Sequence, residues 1–229
     1  MERIEATQEE TRLLRLKESR DEILNRLFNA LVLTGRFDEA CEALQQIEDS
    51  PMKRSGLKKL IEACVKQGCV PTLLELPFED DLAQDADKVL LDKAKKDLAS
   101  GPSNLATPYY QILYAFRVQR SDFRGAAEIL YEHLERMRHT PTHRATQDPE
   151  DETLLQCYVL LINTLACCDE NGGWVLAEPI SGVHREGTKR KLVTLADVRR
   201  EYTIELDRRS EMLQGRFPVL AGGDEMDVL

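Results

Sequence analysis

Cys64 and Cys69, with four residues between them, and His139 and His143, with three, have spacings that zinc ligands adopt. Roughly 70 residues separate the two pairs, however, against about 12 in a zinc finger. Cys64 also recurs in step with Leu57, Leu60 and Ile61, where a free thiol acts as a small hydrophobe. The four residues are read as structural, and no metal or cofactor is expected. Cys167 and Cys168 are adjacent, and neighbours in sequence bond to each other only with strain, so they too are read as structural. His133 stands beside Glu132 and Glu135 on what reads as a solvated helix flank. Lys189-Arg190-Lys191, with Glu186 nearby, is a solvated loop rather than a phosphate or nuclear-localisation patch. Trp174 follows two glycines and is either a core plug or an interface anchor. A phosphate-cradling Gly-Lys loop, a G-x-S-x-G elbow and an H-E-x-x-H helix are all missing from the sequence. Residues of this kind point to a binding or scaffold module, with a small helical enzyme as the alternative.

The composition agrees. The 229 residues carry 31 Lys and Arg against 41 Asp and Glu, a net charge of -10. A negative field disfavours sequence-independent contact with nucleic acid or an anionic membrane. A run of about 18 apolar residues, the minimum for a membrane span, does not occur. Six scattered cysteines are too few for a disulfide framework, and a reducing compartment is expected.

The elements that position these residues follow from periodicity. Apolar residues recur at steps of three and four in eight segments, the spacing that lines up one helix face. The first runs through Leu13, Leu16, Ile23, Leu24, Leu27, Phe28 and Leu31 and stops at Gly35; the second ends before Pro51; the third is closed by Gly68 and Pro71. A fourth, from about Asp80 to Ser100, has a narrow stripe (Leu82, Ala86, Val89, Leu90, Ala94) and is expected on the outside of the stack. Thr107-Pro108 opens a fifth helix, apolar nearly all round and so buried. The sixth starts at Phe123, the seventh at Asp148-Pro149, and the last at a Thr194–Asp197 capping box. Trp174 to Ala177 reads as a short apolar turn, and no segment alternates as a half-buried strand would. The expected fold is all-α, an irregular α-solenoid of stacked antiparallel helix pairs over residues 1–213, with an acidic flexible tail at 214–229.

An internal echo supports the stack. Gly35-Arg36-Phe37-Asp38-Glu39-Ala40-Cys41-Glu42-Ala43-Leu44 returns as Ser121-Asp122-Phe123-Arg124-Gly125-Ala126-Ala127-Glu128-Ile129-Leu130. In both, an aromatic seals a turn and a small residue lets the paired helix approach, as in repeat proteins that bury each unit on its neighbours.

Tyr109 to Arg120, followed by Asp122-Phe123-Arg124-Gly125-Ala126-Ala127, resembles the carboxy-terminal helical region of the large scaffold nucleoporin on a short arm of the Y-shaped nuclear pore complex. Glu42-Ala43-Leu44, Leu76-Pro77-Phe78, Trp174-Val175-Leu176, Pro179-Ile180-Ser181-Gly182 and Leu195-Ala196-Asp197-Val198 agree in the same order. That family joins an amino-terminal β-propeller to a helical stack. The resemblance therefore implies an excised carboxy-terminal domain, of fungal type from the short linker between Ile180 and Lys191. It implies a structural subunit of the nuclear pore at the nuclear envelope, supporting nucleocytoplasmic transport. Other α-helical nucleoporins at the hub of the Y would be its partners, with no small-molecule substrate, direct nucleic acid or membrane contact. A different solenoid adaptor, of coat or proteasome-lid type, is the alternative.

The candidate partner-binding residues are Tyr202 and Arg209. The last helix of a stack has one neighbour instead of two, and its stripe of Leu195, Val198, Tyr202 and Leu206 must dock it. Tyr and Arg are types enriched at interface centres. Arg209 is expected to be exposed, while Tyr202 either reaches the partner or packs inward.

Overall fold

The computed structural model describes residues 2–99, 109–139, 152–168, 173–177 and 191–214. The chain divides into two compact units, residues 1–121 and 122–229. The first holds α1 (Glu2–Leu33), α2 (Phe37–Gln45), α3 (Ser50–Lys66), α4 (Val70–Glu75), α5 (Asp80–Ala99) and α6 (Tyr109–Gln119). The second holds α7 (Phe123–His139), α8 (Thr153–Ala166), strands β1 (Trp174–Ala177) and β2 (Lys191–Thr194), and α9 (Leu195–Leu213). The fold is an all-α, irregular solenoid of stacked antiparallel pairs, in which each helix packs mainly on its neighbours in sequence.

Gly35 ends α1 in the left-handed region, φ +75°, which its missing side chain permits. Its amide bonds Val32 O at 3.2 Å and the Arg36 amide bonds Leu31 O at 3.0 Å, so the last carbonyls of α1 are satisfied and the chain turns back. The echoed position, Ser121, has φ +60°, the one positive φ on a non-glycine among the described residues. After each turn the alanine in register, Ala40 or Ala126, is fully buried. In the second copy Asp122 accepts from the Gly125 amide at 2.9 Å, capping α7; a Cβ at Gly125 would lie 2.1 Å from that carboxylate.

The core of the first unit forms where α1, α2 and α3 meet. Phe28, Leu44, Leu57, Leu60 and Ile61 are all buried. Gly56 brings α3 close: a Cβ there would stand 2.5 Å from Leu44 Cδ1 and 3.4 Å from Phe28 Cε1. Asp21, buried on α1, accepts from the Glu48 and Asp49 amides at 3.3 and 2.9 Å. Asp49 in turn caps α3 by accepting from Met52 N at 3.0 Å. One carboxylate thus fixes the α2–α3 corner to the first helix, satisfying amides that would otherwise be stranded.

Three sequence expectations need correction. Pro71 does not only close α3; it sits in the first turn of the short helix α4, where its missing amide costs nothing. Helix α5 lies between α3 and α6 instead of outside the stack. Its narrow stripe suffices because ion pairs secure its flanks: Arg54–Asp85 at 3.2 Å and Lys93–Glu62 at 2.6 Å toward α3, and a bidentate Arg117–Asp87 pair at 2.6 and 2.7 Å toward α6. Finally, Trp174–Ala177 is a strand and not a turn, paired antiparallel with Lys191–Thr194, Val175 facing Val193. Both valines are fully buried, and β1 lies on α7. The Thr107-Pro108 and Asp148-Pro149 helix starts lie outside the described residues, as does the tail beyond Gln214.

Candidate partner interface

Helix α9 begins as its sequence predicts. Thr194 Oγ1 accepts from Asp197 N at 3.3 Å, and the Asp197 carboxylate accepts from Thr194 N at 3.1 Å, a reciprocal capping box. The helix then docks on α8. Val198 is fully buried, and the Tyr202 ring meets that of Tyr158, on α8, at 5.9 Å between centroids and a tilt of 51°. Tyr158 is itself fully enclosed. Burial, together with the carboxylates nearby and against the influence of Arg138, pushes its phenol up to about 12.

A charged seam borders this aromatic contact. Arg138 of α7 donates to Glu135 at 2.9 Å and to Glu201 of α9 at 3.0 Å. Burial works against the Arg138 charge, but Tyr158, Glu135 and Glu201 outweigh it and hold the guanidinium above its usual pKa. One turn on, Glu205 accepts from Arg208 at 2.7 and 2.9 Å and from Arg209 at 3.1 Å. Burial alone would raise the Glu205 carboxyl; the two arginine hydrogen bonds and charges bring it below its usual value.

Tyr202 therefore packs inward by one face and is half-buried. Arg209 corrects the expectation of an exposed residue: its side chain is only 12% exposed and is bound to Glu205. Beside these two, at steps of four, three and four, Leu206 is partly open and Leu213 is 66% exposed. Tyr202, Leu206, Arg209 and Leu213 form one strip along the edge of α9. Sequence reasoning missed Arg138, Glu201 and Glu205. The available signal was two carboxylates at four-residue spacing on the face that also carries Val198 and Tyr202.

Among the described residues the remaining candidates do not assemble into a site. Among the described residues, no group of three or more His, Cys, Asp or Glu side chains is placed to hold a metal. His143 and the His139 side chain lie outside those residues, as do Lys189, Arg190 and the Lys191 side chain. His133 is half-buried instead of solvated. Trp174 is partly covered, with the Arg124 guanidinium 3.7 Å above its ring.

The thiols are free, with Cys41, Cys64 and Cys157 buried and Cys167 exposed. Burial first, then Asp38, Glu42 and Glu79, pushes Cys41 up to about 11; burial is also the main cause for Cys64 and Cys157, both at about 12. Thiolate is the reactive form, so alkylation of the native protein should modify Cys167 first and these three only on unfolding. Denatured without reductant, all six should label. Early modification of Cys64, read by mass spectrometry, would contradict this packing.

A family model described as the NUP160/120 middle TPR matches residues 14–166. The chain is similar to the nucleoporin NUP120 of Chaetomium thermophilum, 33% identical over 226 residues that cover 89% of this chain and 17% of that protein. It is similar to the nucleoporin nup120 of Schizosaccharomyces pombe, 30% identical over 75% of this chain and 15% of that protein. The nuclear pore complex protein Nup160 of Homo sapiens is 27% identical over 65% of this chain and 10% of that protein. The two fungal relatives share more identity and more of the chain than the human one, in keeping with the expected fungal type. The matched description is of a middle TPR, where the sequence reading expects a carboxy-terminal domain. The chain spans less than a fifth of the length of each of these relatives.

Proposed function

The chain belongs to the NUP160/120 middle TPR family, and from that premise we propose that it is a scaffold segment of the nuclear pore complex. It holds other α-helical nucleoporins of the Y complex at the nuclear envelope, and its role is structural, with no substrate, nucleic acid or membrane assigned to it. The observation that supports this reading is the match over residues 14–166. The purified chain, used as bait in nuclear extract, should retain Y-complex nucleoporins identified by mass spectrometry. Recovery of coat or proteasome-lid proteins in their place would replace the reading.

Within it, the strip of Tyr202, Leu206, Arg209 and Leu213 on α9 is the partner surface. Leu206→Asp combined with Leu213→Asp should weaken nucleoporin binding about tenfold or more. The melting curve should barely move, since exposed substitutions usually cost less than about 0.5 kcal/mol. Arg209→Glu should lower both binding and stability, because it sets a carboxylate against Glu205. Full binding by the double leucine variant in a cooperatively melting chain would place the surface elsewhere.

A further inference from the structure

Helix α1 carries a second apolar line that none of its own neighbours uses. It meets α2 and α3 through its carboxy-terminal half, where Asp21, Phe28 and Leu31 are buried, whereas residues 10–20 are exposed throughout. At 3.6 residues per turn, Leu16, Ile23 and Leu27 fall within about 40° of one another, roughly a quarter turn from the buried face. They are 58%, 64% and 49% exposed. Leu13, also exposed, borders the line on the side of the buried face.

Between residues 12 and 27 the charges beside this line are of one sign. Arg12 and Arg26 flank it on one side and Arg20 on the other, while Glu18 and Glu22 lie further round the helix. Arg26 reaches Glu22 only at 3.9 Å, and Arg20 shares Glu48 with Lys17. On a chain of net charge -10, an arginine-bordered aliphatic ridge inverts the sign of its surroundings.

We propose that the Leu16–Ile23–Leu27 ridge of α1 docks an acidic amphipathic helix of another protein. Spacings of seven and four present a continuous ridge about 16 Å long, which a helix of about three turns would cover. Arginines at the border favour carboxylates, which they bind in bidentate fashion. A second copy of this chain would bring arginine borders together, a like-charge contact that costs affinity. A ridge three side chains long and one wide on a negative protein is also a poor match for an anionic membrane. The surface lies in the first unit and is independent of the strip on α9.

The probe is a designed 22-residue fluorescent helix with leucines on one face and glutamates beside them, alongside its lysine counterpart. The whole chain should bind the acidic peptide and not the lysine one, as read by anisotropy. Ile23→Asp should weaken binding about tenfold or more. Arg12→Glu with Arg26→Glu should do the same and flatten the salt dependence. Leu213→Asp should leave it unchanged, which separates this surface from the one on α9. All variants should keep the parent circular dichroism spectrum. Equal binding of the two peptides, or indifference to both sets of variants, overturns the proposal. So does capture of phosphatidylserine vesicles, or a concentration-dependent dimer, in either case without peptide binding and abolished by Ile23→Asp.

Discussion

Replacing Phe28 by alanine should lower the stability of the first unit by about 3–5 kcal/mol, the range for truncating a buried large aromatic side chain. Phe28 is fully enclosed on α1, and its ring edge lies where α3 comes closest, at Gly56. The surroundings cannot readily collapse into the space. Leu44 and Leu57 are held on separate helices, and the Asp21 hydrogen bonds to Glu48 and Asp49 pin the corner that would have to move. Leu27, one residue earlier, is half-exposed, so Leu27→Ala should cost far less. Chemical denaturation of both variants tests the register of α1 directly. Equal losses at the two positions would mean that the helix is rotated from the orientation described.

Tyr158→Ala should have a comparable effect on the second unit, about 3–5 kcal/mol, and its signature should be local. The ring fills the space beneath α9 and is the partner of Tyr202. Its loss removes the main apolar support of a helix on which Val198 is the only fully buried hydrophobic side chain among the described residues. Amide exchange over residues 195–213 should therefore rise before that of α7 does. A double-mutant cycle with Tyr202→Ala should return a coupling of about 0.5–1.5 kcal/mol, as for interacting aromatic pairs. Additive losses would show that the two rings do not support each other.

Local chemistry was legible in the sequence, and long-range chemistry was not. The Thr194–Asp197 capping box lies within one turn and could be read directly. So could the echo that begins at Gly35 and Ser121, because each copy carries its own turn, seal and small residue. The strand pair was missed because four residues, Trp174 to Ala177, are too few to display an alternation. Asp21 gave no signal, since its partners stand 27 and 28 residues away and only the fold delivers them. The candidate strip shows the same division. Tyr202 was found from residue type and helical spacing, whereas the burial of Arg209 depends on Glu205, and the seam on Arg138, 63 residues from Glu201. A carboxylate on an otherwise apolar helix face is the mark that would have exposed both.

The habit of each helix to pack on its sequence neighbours has a consequence for how the polypeptide is made. Rates of folding fall as the average sequence distance between touching residues grows, and here α1 closes on α2 and α3 before any distant segment is required. The fungal relatives are about five times as long as this chain. In such a chain, helices able to settle against what has just left the ribosome need not wait for the remainder. With synthesis at about 5–20 residues per second, the first unit can bury Phe28 and Leu44 while later parts are still being translated. Apolar surface is then presented to the cell a few turns at a time, which limits the opportunity for aggregation during assembly of a very large protein.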